Sequence, residues 1–225
     1  MISMRKFFII VMTLFISVFV YSKTVLITGF TPFGDEKINP SFEAVKGLPN
    51  KIKGAKIIKK EIPVTFKGAA EKLDSLIKEY NPDVVISVGE AGGRSDISIE
   101  RVAINVDDAR IPDNDGYKPH ESKISNQGDN AYFSTLPINK IVRSINTAGI
   151  PANISNTAGT YVCNHIMYHL LELFGNKYPD KIGGFIHVPY APQQVVSKKD
   201  IPSMSIPNMT LALHKAIEVS LDTLR

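Results

Sequence analysis

The sequence predicts an α/β fold, a three-layer α/β/α sandwich whose mostly parallel, twisted sheet carries helices on both faces. Two observations predict it. Short apolar, largely β-branched runs alternate along the chain with longer segments of helical period. Several of those runs also lead straight into glycine-rich turns, as strands of a buried parallel sheet do. Of the 225 residues, 44% are hydrophobic and 21% charged, which suits one well-buried domain.

Residues 1–22 stand apart from the rest. Arg5 and Lys6 precede an uninterrupted apolar or small run, Phe7 to Tyr21, and Val20 and Ser22 fit the small-residue rule for a cut before Lys23. The shape is that of a secretory signal peptide, rather short for a spanning helix. An uncleaved N-terminal anchor is the alternative, since Val-Tyr-Ser is a weaker cleavage site than Ala-x-Ala. The expected division is therefore a leader over 1–22 and a single domain over 23–225, exported to a periplasmic or extracellular space, with no stable membrane contact once the leader is cut. Losing Arg5 and Lys6 lowers the formal net charge from +4 to +2, and the remaining basic residues are scattered, which excludes a nucleic-acid surface. A single cysteine can form no internal disulfide, so an exported chain would carry a free thiol that needs a purpose.

The elements follow in order. Thr24–Thr28 reads as a buried first strand entering Gly29-Phe30-Thr31-Pro32-Phe33-Gly34. The Gly29-x-x-x-x-Gly34 spacing is half of a phosphate-binding loop, but Asp35-Glu36 stand where Lys and Ser/Thr would be needed and would repel a nucleotide. Phe30 and Phe33 either cover the sheet edge or receive a flat, neutral, partly apolar ligand. Asn39-Pro40-Ser41 reads as a turn and cap for a short helix running to about Leu48, followed by a strand over 56–64. Phe66–Tyr80 has the helical period, with Ala69, Leu73 and Leu76 on one face. Val84–Val88 is the next strand, and Gly89-Glu90-Ala91-Gly92-Gly93-Arg94 follows it without forming a dinucleotide fingerprint.

Residues 97–106 alternate well enough for one strand, which places Glu100 on a face with Val102 and Ile104. A carboxylate there needs a partner, either a salt bridge to Arg101 or Arg110 or a role in chemistry. The acids at Asp107, Asp108, Asp113 and Asp115 lack EF-hand spacing, so a structured loop is expected rather than a calcium site. Residues 117–130 read as an irregular flap or an oligomer contact. Ile138–Ala148 is expected to be a helix ending at Gly149, and Ala152–Ser155 a strand. Ile206–Leu224 closes the domain as an amphipathic helix.

Cys163 stands where small and polar residues give way to the helical stripe of Val162, Ile166, Leu170 and Leu173. In the first turn of a helix, free N–H groups and the dipole favour thiolate, although a lone cysteine is usually a small buried hydrophobe. His165 and His169 have metal-ligand spacing but lack the adjacent Glu and a clear third ligand, so no metal site is assigned. His187 ends a short strand that Pro189 stops, near the other glycine-rich turns, where it is either a core histidine or part of a site. Together Cys163, His187 and Glu100 supply an attacker, a base and acid, and an orienter for nucleophilic thiol catalysis.

At these residues the sequence resembles the pyroglutamyl peptidase I family, the pyrrolidone carboxyl peptidases. The resemblance lies in 26–34, Asn39-Pro40-Ser41, 91–94, 100–105, 108–114, 157–164 and 184–190, in family order across about residues 24–224. It implies a cysteine exopeptidase that hydrolyses the bond after an N-terminal pyroglutamyl residue through a thioester. Cys163 would be the nucleophile, His187 its base and Glu100 the orienter, with the Cys163 N–H and Arg110 holding the oxyanion. It implies pyroglutamyl peptides as partners, no metal or organic cofactor, and a homotetramer. Phe30 and Phe33 would sandwich the lactam, Asn39 and the backbone near Glu90 would satisfy its amide, and Val64, Ile111, Tyr161 and Val162 would wall the pocket. Two features depart from the family: a carboxylate at Glu90, where many relatives carry a neutral residue, and the leader on a chain whose relatives are typically cytoplasmic. The alternative from another class is a non-catalytic binding protein for pyroglutamyl peptides or small lactams.

Overall fold

The apolar runs become the central layer. In a computed structural model that describes residues 22–224, the elements are β1 (Thr24–Phe30), α1 (Pro40–Lys46), β2 (Lys51–Ile52), β3 (Ala55–Ile62), α2 (Phe66–Tyr80), β4 (Val84–Glu90), β5 (Ile97–Glu100), β6 (Val102–Ile104), β7 (Ala131–Phe133), α3 (Ile138–Thr147), β8 (Ala152–Ser155), α4 (Val162–Lys177), β9 (Ile182–Val188) and α5 (Ile206–Leu221). The expected signal peptide, apart from Ser22, lies outside the described residues.

Seven strands form one sheet in the order β2-β3-β1-β4-β9-β5-β8. The β1, β3, β4 and β9 pairings are parallel, whereas β2 and β5 run antiparallel to β3 and β9. The sheet is thus mixed but mostly parallel. Strands buried on both faces explain the nearly continuous apolar sequences, such as the six fully buried residues of β4. One core cluster joins α1, α3 and α5 to one face of the sheet, and a second joins α2 and α4 to the other, which makes the three layers.

Close approach positions α4. A Cβ at Gly183 would lie 3.1 Å from Leu170 Cδ2, Phe174 Cε2 and Val85 O, so glycine lets α4 lie close to β9 without its side chains having to give. At its N-terminal end the buried Asn164 side chain donates to the carbonyls of Ile104 and Val106 and accepts from the Ile104 N–H. A two-stranded sheet of β6 and β7 is thereby fastened beside the first turn of α4.

The stretch 97–106 is not the single strand its alternation suggests. Arg101 breaks it, because its N–H bonds to Ser155 O in the main sheet while its carbonyl accepts from Ser134 N on the way out of β7. Glu100 therefore ends β5 fully buried and shares no face with Val102 and Ile104, and Ile104 is exposed. Strands β2 and β7, of two and three residues, are too short to leave a periodic signature.

Candidate active site

Pairing in the sheet brings the expected residues together. Gly89 of β4 is in register with His187 of β9, and His187 is in register with Ser98 of the antiparallel β5. Side chains two apart on a strand share a face, so Ser98, Glu100, Phe185 and His187 all look toward α2 and α4. His187 Nδ1 lies 2.7 Å from Glu100 Oε1, and both residues are buried. The imidazole also packs against Phe185, with ring centroids 4.8 Å apart.

Cys163 reaches the same spot from above. Its helix opens at Tyr161, and the first intrahelical bond runs from His165 N to Tyr161 O, so the Cys163 N–H lies in the turn without intrahelical partners. Its sulfur rests on the missing side chain of Gly89: a Cβ there would be 2.9 Å from Sγ and 2.8 Å from Phe185 Cζ. Sγ thus lies over Gly89 at the Phe185 ring, and the imidazole packs on that same ring.

The electrostatics correct one expectation. Burial pushes the Cys163 thiol up to about 12, and the carboxylates of Glu100 and Glu90 push in the same direction, against Arg94 and the backbone N–H. The helix terminus does not hold a thiolate here. Burial also lowers the His187 pKa, against the hydrogen bond to Glu100. Glu100 itself is raised by burial, but His187, Ser155 and Arg94 more than offset this and leave its carboxyl below the usual range. The resting site is a neutral thiol, a neutral imidazole donating through Nδ1 and a carboxylate.

The residues expected to form a pocket are tied to one another by short-range contacts and differ in exposure. Phe30 is buried, 6.3 Å from Phe185 between centroids, and half-buried Phe33 meets Tyr161 edge-on at 5.7 Å. Loop 107–117 joins the walls: Tyr161 Oη donates to Pro112 O, Asn114 N to Val64 O and Asn114 Nδ2 to Pro32 O. Val64 is buried at this junction and Ile111 is exposed. Val162 is fully buried in the core cluster, so its side chain is not a pocket wall. Asn39 serves its own turn first, accepting from Ser41 N and Oγ through Oδ1 and donating to Thr31 O, which leaves one amide hydrogen for a substrate. Glu90 accepts from Gln194 Nε2 at 2.8 Å, and burial raises its pKa. Arg110 is exposed and, among the described residues, makes neither hydrogen bond nor ion pair.

His165 and His169 are each paired with a carboxylate, Asp107 and Asp74. Among the described residues no group of three or more His, Cys, Asp and Glu is placed to hold a metal. Asp113 caps its own loop, accepting from Phe66 N, Asp115 N and Tyr117 N. Sequence reasoning assigned no role to Arg94, Gly89 or Gln194. Gly89 and Arg94 stand in the glycine-rich turn after β4 and carried a positional signal, whereas Gln194, in a short 3-10 turn, carried none.

Known proteins resemble this chain along nearly its whole described length. A pyrrolidone-carboxylate peptidase of Thermosipho africanus is 57% identical over 197 residues, covering 88% of this chain and 96% of that protein. Pyroglutamyl peptidase I of Bacillus amyloliquefaciens, a crystal structure, superposes with a TM-score of 0.86 at 45% identity, covering 89% of this chain and 98% of the other. A mutant pyrrolidone carboxyl peptidase from Pyrococcus furiosus superposes with a TM-score of 0.87 at 47% identity, covering 90% and 100%. The profile of the pyroglutamyl peptidase family matches residues 23–223, which takes in β1 through α5 and every residue of the site, and the chain belongs to that family.

Proposed function

We propose that this chain is a cysteine peptidase that removes an N-terminal pyroglutamyl residue from peptides, with Cys163 as nucleophile, His187 as base and acid, and Glu100 as orienter. The observation that carries the reading is the buried Glu100–His187 pair beside the Cys163 sulfur at the start of α4, in a chain of this family. Because the resting thiol is neutral, its proton passes to His187 Nε2 as Sγ bonds to the substrate carbonyl carbon. The new imidazolium keeps its Nδ1–H on Glu100. The tetrahedral oxyanion takes the Cys163 N–H, with Arg110 as the second donor. Collapse breaks the C–N bond, His187 returns the proton to the leaving amine, and a thioester remains. Water, losing its proton to His187, then releases pyroglutamate and the thiol.

The ligand end supports this substrate class. A lactam is neutral, flat and partly apolar, and Phe30, Phe33 and Tyr161 offer rings without an acidic anchor for an ammonium group. The Glu90 side chain is turned to Gln194, so backbone near Glu90 and the spare Asn39 hydrogen serve the lactam amide. With the site geometry intact, the non-catalytic binding reading has no observation in its favour. We assign the leader over 1–22 to export and the assembled form to a homo-oligomer, a tetramer by family likeness.

The deciding experiment is hydrolysis of a pyroglutamyl amide of a chromogenic amine. We expect turnover that iodoacetamide and Cys163→Ala abolish and that a chelator leaves unchanged. A folded wild-type protein that binds this amide without cleaving it would overturn the reading in favour of a binding protein. N-terminal sequencing of exported material tests the leader: it should begin at Lys23, and an intact Met1 on soluble cytosolic protein refutes export.

A further inference from the structure

Glu100 has a second partner besides the histidine. Arg94 Nη1 reaches Glu100 Oε1 at 2.7 Å, the same oxygen that meets His187 Nδ1, while Nη2 donates to Thr157 O at 3.2 Å. Oε2 is buried with no hydrogen-bond partner, so the hydrogen bonds that fix the carboxylate run through one oxygen. Glu100 is fully buried, where an ionised carboxylate with too few donors is costly. Thr157 lies in the loop that leads into α4, so one planar guanidinium spans the orienter and the segment delivering the nucleophile.

We propose that Arg94 is a positioning residue for the thiol chemistry: it holds Glu100 ionised against His187 and ties that pair to the Thr157 loop ahead of Cys163. The inference rests on the peptidase reading above. The charged groups acting on the imidazole are Glu100 from β5 and Arg94 from the turn after β4, and Cys163 of α4 feels these two and Glu90 at the end of β4. Arg94 is the only cation among these four. Removing it raises the proton affinity of both Glu100 and His187, which titrate as a coupled pair. The acid limb of kcat/KM must then move to higher pH.

The test compares wild type with Arg94→Met and Arg94→Lys on the pyroglutamyl amide, with an NMR titration of the His187 ring in each. For Arg94→Met we expect kcat to fall about tenfold or more with KM changed less than about threefold, and the acid limb to rise by about one pH unit. Arg94→Lys should return the limb toward the wild-type position without full kcat, since one ammonium cannot serve Glu100 and Thr157 together. The His187 titration should shift upward in Arg94→Met whether or not the protein turns over substrate, so it separates this inference from the peptidase reading. Wild-type kcat and an unmoved limb in Arg94→Met overturn the proposal. A loss of activity and melting temperature with His187 unmoved does so as well, because that is a structural role alone.

Discussion

A thiol in the first turn of a helix is ordinarily argued to be ionised, since the dipole and free N–H groups stabilise negative charge. At Cys163 burial and two nearby carboxylates outweigh them, and the proton stays on sulfur. The thiolate has to be made during attack, which places the demand on the distance between Sγ and the imidazole. Gly89 sets the position of the sulfur, which lies where its side chain would need room. In Gly89→Ala the new Cβ would lie under 3 Å from both Sγ and the Phe185 ring, so one of them must shift. We expect kcat to drop by about tenfold to a hundredfold while the far-ultraviolet circular dichroism is retained, in line with the sensitivity of such reactions to displacements near 1 Å. Wild-type kcat in the Gly89→Ala enzyme would mean that Gly89 does not set the sulfur position.

Among the elements, α1 shows how a short helix can serve a pocket. Asn39 caps it from an extended conformation and Pro40 opens it, while the Asn39 amide also reaches back to Thr31. The Phe30 N–H donates to Ser41 Oγ, so the first residues of the turn bearing the two phenylalanines are bound to the helix start twice. Asn39→Ala removes the cap and the Thr31 bond together. It should cost about 1–2 kcal/mol in urea unfolding. KM for the pyroglutamyl amide should rise more than kcat falls, because the turn holds the ring and not the sulfur. Equal losses in both would place Asn39 in the chemistry instead. The longer elements could be read directly. Phe66–Tyr80 and Ala152–Ser155 have the bounds their patterns implied: a helix packed along one face writes a period into the sequence, and the edge strand β8, partly exposed past Ala152, is marked off by Pro151 before it and the polar loop after it. The strand over 97–106 misled because alternation persists through Arg101, where hydrogen bonds to Ser155 and Ser134 send the chain into another sheet.

For the whole molecule, the neutral site has a consequence at alkaline pH. An unfolded Cys163 titrates near its ordinary value of 9.0, whereas in the fold the thiol is raised to about 12. Between these values the native state keeps a proton that the unfolded state has lost. The stability Cys163 contributes is therefore complete below about pH 9 and lost as pH rises through about 12. The urea midpoint of wild type should fall between pH 9 and 11 more steeply than that of Cys163→Ala. Parallel curves would show that the thiol is not held protonated.

By itself, the sequence determined the alternation of strands and helices, the glycine-rich turns, and the residue types for thiol chemistry at Cys163, His187 and Glu100. Those features are local: periodicity and turn chemistry depend on neighbours a few positions away. Only the tertiary structure decided that β5 runs antiparallel to β9, which puts Glu100 beside His187, and that α4 lies close enough for sulfur to rest on Gly89. It also joined Arg94 to the buried carboxylate and left the thiol protonated. Distances between residues far apart in the chain, and the burial that sets their charges, exist only once the layers have packed.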